Sequence, residues 1–476
     1  MSLAAETPVR RERTQRIPAL VFVLVYVALL LCIPSRLIVG PLGASGTPAN
    51  LWGLAALLWW VCAAVGGFNT GRHSPVRIAI AVLTLAVFAS YVSGMSNGWF
   101  IPPTIHEATS DVINLVPATI GQINEKMVNA ADRGLLSFGG WLGIVLVTSS
   151  GLRSWRDLET VAKWLTWLGT FVAALGILQF FTAIDIASFF KIPGLVANSD
   201  FGEVATRSVL NRVSSTAIHP IEFGVVMACI FVFALHRAIH NPSAIPPWIP
   251  VVCIGIAIPM SVSRSAILTA AIALIIMLIS WPPRWRWRAL FIAPFAAIAL
   301  RLMIPGLVGT ITSLFTNLSN DPSISGRTDD YGPVFDLYTN HPILGRGLFT
   351  FAANYYRILD NQYFGMLVEI GAVGLSAAVA LFLIGYFCAR GARRRTTNPR
   401  SRHLALALSG AIAGVVISYV TFDAWAFPMA AGLTFLLIGM AGAAWQIARY
   451  ESQQSDPAAA EAAAPASGYS PSQEVA

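Results

Sequence analysis

Charged side chains are scarce in this chain, and where they gather they define the chemistry it is equipped for. Arg264 lies in "SVSRSAIL", and His219 and Glu222 lie in "AIHPIEFG", each hard against long apolar runs. Asn320 to Gly374 reads "NDPSISGRTDDYGPVFDLYTNHPILGRGLFTFAANYYRILDNQYFGMLVEIGAVG"; it bunches arginines with carboxylates and then runs straight into a hydrophobic helix. Arg301 stands inside another apolar run. Guanidinium groups bind phosphate oxygens through paired hydrogen bonds and stay charged when partly desolvated. An arginine-rich recess at a lipid boundary therefore suits a lipid that carries phosphate or diphosphate. No outer segment offers Asp-x-Asp or paired histidines at ligand spacing, so no metal is expected.

Each of these residues has a structural alternative. Arg301 can snorkel outward along its aliphatic stem. His219 precedes Pro220, which suits the first turn of a helix, so its ring can serve as a cap. Glu222 and Glu369 can pair with nearby arginines. Arg264 is the hardest to explain structurally, because a tight turn at an interface is a poor place for a guanidinium without a partner.

The elements that must hold these residues are membrane helices. The 476 residues are 56% hydrophobic and 11% charged, with mean hydropathy +0.66, far from the composition of a soluble globular domain. The formal charge of +8 is scattered over short connections and forms no basic domain, which argues against a nucleic-acid partner. Cys32, Cys62, Cys229, Cys253 and Cys388 lie in apolar runs without CxxC spacing, as small buried hydrophobes do. The first apolar run follows "RRERTQR" but ends in "CIPSRLIVG", without a small-residue cleavage site, and reads as a retained helix.

A template of roughly 20 apolar residues per span predicts an all-α polytopic membrane protein of about 12 helices. Their expected limits are 17–37, 50–67, 76–96, 134–151, 159–182, 219–238, 246–262, 265–281, 288–309, 362–389, 403–422 and 424–446. Residues 1–16 form a basic N-terminus, 17–446 the transmembrane domain with an outer loop over 310–361, and 447–476 a disordered tail rich in Ala, Pro, Ser and Gln. Most basic residues, including Arg153, Arg156, Arg284, Arg286, Arg288, Arg390, Arg393, Arg394, Arg395, Arg400 and Arg402, fall in alternate short connections. The positive-inside rule then puts both termini in the cytoplasm. The long segments 97–133, 183–218 and 310–361 lie on the outer face, with a helix lying in the interface expected within 97–133. No internal repeat is visible.

With the elements laid out, "SGRTDDYGPVFDLYTNHPILGRGLFTF" resembles the loop motif of the O-antigen ligase and O-antigen polymerase family of bacterial membrane glycosyltransferases. "DNQYFGMLVEIGAVG" resembles that family's next element, commonly H-N-x-Y followed by E-x-G-x-x-G, and "SRSA" matches its Ser-Arg turn. The resemblance is detailed over about 55 residues and slight in the first five helices. It implies a GT-C-like fold and an enzyme that moves a glycan from a polyprenyl diphosphate carrier to an acceptor hydroxyl. The reaction takes place on the outer face of the inner (cytoplasmic) membrane and needs neither metal nor cofactor.

On that reading Arg264 and Arg327 hold the diphosphate, Arg346 or Arg301 assists, and Asp360 is the catalytic base, with His341 and Glu369 as alternatives. His219, Glu222, Asn361 and Tyr363 complete the substrate-binding set. In ligases a histidine commonly stands where Asp360 does, which weakens the assignment to ligase over polymerase. Asp360 or Asn361 is also where a helix cap belongs. The implied partners are the lipid-linked donor, a glycan or glycolipid acceptor, membrane lipid and envelope polysaccharide assembly proteins. A transporter or flippase of lipid-linked glycans is the competing reading; it expects midplane ionisable residues and repeated halves. A non-catalytic scaffold of an envelope assembly complex is a third.

Overall fold

The computed structural model describes residues 18–67, 74–97, 120–198, 206–207, 210–304, 306–316, 330–351 and 359–454. It is almost entirely α-helical. The helices are α1 (Ala19–Cys32), α2 (Pro48–Val65), α3 (Pro75–Ser96), α4 (Ile120–Gly151), α5 (Trp155–Thr182), α6 (Pro220–Ile239) and α7 (Trp248–Met260). They continue with α8 (Arg264–Ser280), α9 (Pro283–Met303), α10 (Leu307–Thr316), α11 (Tyr331–Asn340), α12 (Gln362–Arg395), α13 (Pro399–Ser418) and α14 (Pro428–Gln454). Two short antiparallel ribbons complete the described structure, β1 (Leu37–Ile38) with β2 (Val196–Ala197), and β3 (Thr206–Arg207) with β4 (Leu210–Asn211).

A helix lies within each of the twelve expected segments, but fewer of them are long apolar spans. Among the described residues eight helices are long and apolar enough to cross a membrane, which makes this a multi-pass membrane protein. The helices α1, α7 and α8 are apolar but shorter. The expected limits had counted apolar residues that form turns instead, such as Ile33 after α1 and the Ser261–Ser263 turn after α7. Helix α9 is 21 residues long and has no buried residue. Its four arginines lower its hydropathy, while Phe291, Phe295 and Ile298 lie on its exposed surface.

Of the segment 97–133, in which an interfacial helix is expected, 98–119 lie outside the described residues, and 120–133 are the first turns of α4, whose Met127 and Ala131 pack with Val334, Leu337, Leu359 and Val368 under the loop helix α11. Helix α14 runs on to Gln454, so the tail expected from 447 is helical over its first eight residues; 455–476 lie outside the described residues.

Polar residues at the helix starts set the boundaries. Thr47, Ser154, His219, Ser263, Asn361 and Asn398 each accept a backbone N–H from the first turn of the following helix, which satisfies amides that the helix itself leaves open. Pro48, Pro220 and Pro399 stand at first helical positions, where the missing N–H costs nothing. The core is a bundle around α14, nearly every residue of which is buried from Met429 to Ala448. Helices α2 and α4 touch backbone to backbone, because a side chain on Gly53 would collide with the carbonyl of Gly140; such small-residue contacts are the usual means of close approach in membranes.

The bundle has two unlike ends. At one, the arginines of the short connections cluster: Arg390 and Arg393 bond Ser280 at the end of α8, and Arg395 and Arg449 lie over the Trp445 ring. The other end gathers the starts of α6, α8, α12 and α14, and with them most of the candidate residues.

Candidate active site at the starts of four helices

Arg264 opens α8 after a three-residue turn. Val262 in that turn is buried and has φ 47°, a conformation that β-branched residues avoid, so the turn is held by its surroundings. Those surroundings are named by contacts. Arg212 Nε donates to the Ser261 carbonyl at 3.5 Å, and Thr421 Oγ1 donates to Ser265 Oγ at 2.7 Å. The close approach of α6 is made at Gly224, where a Cβ would meet Ser261 and Ala266.

His219 is the cap of α6, its Nδ1 accepting the Ile221 N–H at 3.1 Å. The proton of the neutral ring is therefore on Nε2. Burial, followed by the charges of Arg212 and Arg36, holds the His219 pKa down to about 4, so the ring is neutral at physiological pH. Arg36 is anchored by Asp185 at 3.0 Å and by the Ile218 carbonyl at 3.1 Å. Arg36 and Arg212 were missed in the sequence because each sits alone in a connection, in "PSRL" and "LNRV", with no motif around it.

Glu222 is spent on structure. Its carboxylate accepts the N–H groups of Ile218 (2.8 Å), Met429 (2.7 Å) and Ala430 (3.2 Å), tying the start of α6 to the start of α14. Asn361, not Asp360, caps α12: its Oδ1 accepts from Tyr363 and Phe364 N–H. Gln362 then receives and returns hydrogen bonds with the segment before α14, its N–H donating to Phe422 O (3.1 Å) and its Oε1 accepting from Trp425 N–H (2.6 Å). Tyr363 fastens the same turn to α13 through its hydroxyl and Val416 O at 2.7 Å.

Asp360, beside that pinned turn, is within electrostatic reach of Asp423, a residue that sequence reasoning did not single out. Burial pushes the Asp423 carboxyl up to about 7, and the neighbouring Asp360 charge acts in the same direction. The available signal was a lone acid in "TFDAWAFP" between the last two helices, where no motif marks it. Asp423 is also within electrostatic reach of Glu369.

The motif residues His341 to Gly347 and the "EIG" of α12 form one device. Helix α12 breaks at Gly371, which has φ 65° and ψ −174°, and the 341–347 turn fills the break. Ala372 and Val373 N–H donate to the carbonyls of Pro342 (2.9 Å) and Ile343 (3.2 Å), while Arg346 and Gly347 N–H donate to Glu369 O (3.0 and 2.8 Å). A Cβ on Gly371 would strike Ile343 O, and one on Gly345 would strike the Glu369 backbone. Gly371 therefore serves the break in α12. Arg346 is buried by this docking and near enough to Glu369 and His341 to act on both. Burial first, and Arg346 second, lowers the His341 pKa. Glu369 Oε1 accepts the Phe351 N–H at 3.2 Å.

The expected set is thus gathered in part. Arg264, His219, Asp360, Asn361 and Tyr363 meet at one end, and His341, Arg346 and Glu369 form the adjoining break. Arg301 is exposed on α9 and has no hydrogen bond or ion pair with the others among the described residues. Arg327 lies outside the described residues.

One group of described residues has the makings of a metal site, at the opposite end: His236, His240 and His403, with ring nitrogens within 4.8 Å of one another. Their wiring argues against it. Trp281 Nε1–H donates to His403 Nε2 at 2.8 Å, so the proton of a neutral His403 is on Nδ1, 2.9 Å from His236 Nδ1. His236 then carries its own proton on Nε2, facing Glu159 Oε1 at 2.9 Å. Both rings are used completely in one directed chain, which Arg400 closes at 3.0 Å from the same carboxylate oxygen.

A multi-pass helical membrane protein with this end-on cluster of arginine and carboxylate is the class that the fold and site define. Within it, the family model described as O-antigen ligase matches residues 249–379, from α7 to the middle of α12, and an O-antigen ligase domain is present there. The match takes in Arg264 and the whole 341–371 device but not His219, Arg212 or Asp423. No curated protein matches the chain.

Proposed function

We propose that the chain transfers a glycan from a polyprenyl diphosphate carrier to an acceptor sugar hydroxyl. The reaction would take place at the outer face of the cytoplasmic membrane, with both termini inside. The observation that supports this reading is that the Arg264 turn is braced by Arg212 at Ser261 and by Thr421 at Ser265, and that Thr421 lies two residues of chain from Asp423, whose carboxyl feels the charge of Asp360. Diphosphate departure builds negative charge, and fixed guanidinium groups together with the positive ends of helices oppose that charge where it develops. The acceptor oxygen attacks the anomeric carbon, the bond from that carbon to the diphosphate oxygen breaks, and the acceptor proton passes to a carboxylate of the pair. Asp423, its carboxyl raised to about 7 chiefly by burial and further by the Asp360 charge, suits that proton better than an ordinary aspartate.

A transporter reading has less support, since the ionisable cluster lies at one end of the bundle and not at its middle. The test is to give the purified protein a lipid-diphosphate repeat unit alone. Elongation marks a polymerase, and inertness until a second acceptor is added marks a ligase. If polyprenyl diphosphate is released under neither condition, the transferase reading fails.

A further inference from the structure

A cavity of about 400 Å³ opens beside this site, on the far side of the segment that carries Asp423. It is walled by the turn of residues 40–46, by the start of α2, by α4 and by Phe349, Trp425, Ala426 and Pro428. Nothing in the sequence marked it, and most of its wall lies outside the matched domain. Its lining combines two kinds of group. Tyr26, Trp141, Phe349 and Trp425 supply aromatic surface; Ser45, Thr47, Asn50, Ser137 and Arg133 supply polar groups. Aliphatic side chains larger than alanine are nearly absent from it, Leu30 excepted among the residues named. A slot for an acyl chain would have the opposite composition.

The wall is built rather than incidental. Trp141 stacks on Phe435 at 5.0 Å and meets Trp425 at 5.4 Å and Phe349 at 6.3 Å. Phe349 is held at φ 62°, a conformation that bulky residues adopt only when their surroundings impose it. Asn50 is 8% exposed and its Nδ2 is committed to the carbonyls of Ser45 (2.7 Å) and Leu136 (3.3 Å), which ties the 40–46 turn to α4 and fixes that part of the wall. Arg133 is fixed at the rim by Pro41 O at 3.4 Å. Aromatic faces beside amide, hydroxyl and guanidinium groups are what a pyranose needs, since its C–H faces are apolar and its rim is hydroxyl. The volume is at the small end for ligand pockets, roughly 300–1,000 Å³, and suits one or two sugar residues.

The cavity is mechanically joined to the site. Thr421 bonds Ser265 beside Arg264, Asp423 follows, and Trp425, Ala426 and Pro428 line the cavity, so one short segment has the cation side before the acid and the cavity after it. Phe349 closes the other wall from the turn that holds Arg346. We infer that this cavity is a carbohydrate subsite that seats the acceptor end of the glycan, so that its hydroxyl reaches the Asp360–Asp423 pair while the diphosphate lies on the Arg264 side. The acceptor role rests on the transferase reading; carbohydrate binding does not.

The test separates the two. The probe is the free repeat-unit oligosaccharide released by mild acid from the cells' own lipid-linked glycan, titrated onto the purified protein in detergent and followed by saturation-transfer NMR. Wild-type protein is expected to bind it, and Ser137→Phe, which fills the cavity from a half-buried position, is expected to weaken binding at least tenfold. Arg133→Gln, at an exposed position, is a second variant that leaves the core untouched and should weaken it several-fold. In the transfer assay Ser137→Phe should raise the acceptor KM by a similar factor with the donor KM unchanged. Absence of oligosaccharide binding to folded wild-type protein overturns the proposal. So does unaltered binding by both variants, or displacement of the sugar by short-chain phosphatidylcholine, which would make the cavity a lipid slot. Sugar binding that responds to the variants in a protein with no transfer activity would overturn the transferase reading and leave the carbohydrate site standing.

Discussion

Gly371→Ala is the sharpest test of the broken helix, because two independent physical effects act at one atom. At φ 65° and ψ −174° the backbone is in a region that residues with a Cβ occupy only at a cost of about 1–3 kcal/mol. The added methyl would also strike Ile343 O, and relieving such an overlap costs about 1–3 kcal/mol more. The cheapest relief is to withdraw the 341–347 turn, which sacrifices the hydrogen bonds from Ala372 and Val373 to Pro342 and Ile343. The sum is about 2–6 kcal/mol, divided between global destabilisation and undocking of the turn. Gly365→Ala on the same helix is the control. Its Cβ would meet nothing closer than Gln362 Nε2 at 3.8 Å, so it should stabilise by up to about 1 kcal/mol through helix propensity. Thermal unfolding in detergent, paired with limited proteolysis of the 341–351 turn, reads both outcomes. Gly345→Ala should behave like Gly371→Ala, and the double variant should be less than additive because both break one contact. A Gly371→Ala protein that melts with wild type and resists protease would refute the docking account.

Other expectations follow from the same geometry. Arg264→Ala should lower transfer about 100-fold or more with little change in melting, since the side chain is only half-buried; Arg264→Lys should not restore it, as a lysine lacks the paired donors. The pH profile of kcat/KM should rise through an acid limb near 7, where Asp423 ionises. Asp360→Asn should move that limb down, though not to the ordinary aspartate value, because burial remains the larger cause; a wild-type limb below pH 5 would exclude Asp423 as the base. With a folded-state pKa above the unfolded one, Asp423 takes up a proton on folding between about pH 4 and 7. Its contribution to stability therefore falls as pH rises through that window, and Asp423→Asn should melt higher than wild type at pH 8. His403→Phe should destabilise by about 2–4 kcal/mol by stranding Trp281 Nε1–H and a nitrogen of His236. Zinc titration should leave the wild-type melting temperature unchanged, and a zinc-dependent rise would show the three histidines to be ligands.

What could be read from the sequence divides along physical lines. Helix positions were legible because a membrane demands long apolar runs; span number was not, since apolar residues such as Ile33 and Val262 also serve in turns. A tight turn before α8 was expected at 263–264 and lies at Ser261–Ser263, because its shortness forces the chain to reverse there while its apolar Val262 hid its first residues. The roles of Asn361 and Glu222 turned on which backbone amides lay near their oxygens, and in Glu222's case the decisive amides are about two hundred residues away in the chain. Asp423 and the cavity were invisible for the same reason: each is made by distant segments meeting, with no local spacing to record it. The break at Gly371 left no local signal, because it is filled by a turn that precedes it by some thirty residues.

These contacts also explain how a membrane protein keeps so many carboxylates at one end. Glu222 answers the amides at the start of α14, Asp360 immediately precedes the cap of α12, and Asp423 lies between the end of α13 and the start of α14. Helix starts carry partial positive charge, worth more when solvent is partly excluded. Acids placed there need fewer ion pairs. Among the candidate acids, Glu222 and Glu369 accept backbone N–H groups. The arrangement makes a further demand that can be checked: adding a positive charge at Asp360, as Asp360→Lys, should lower the Asp423 pKa and cost activity even where Asp360→Asn retains some. A neutral change at Glu222 should instead damage folding, because it unties α6 from α14.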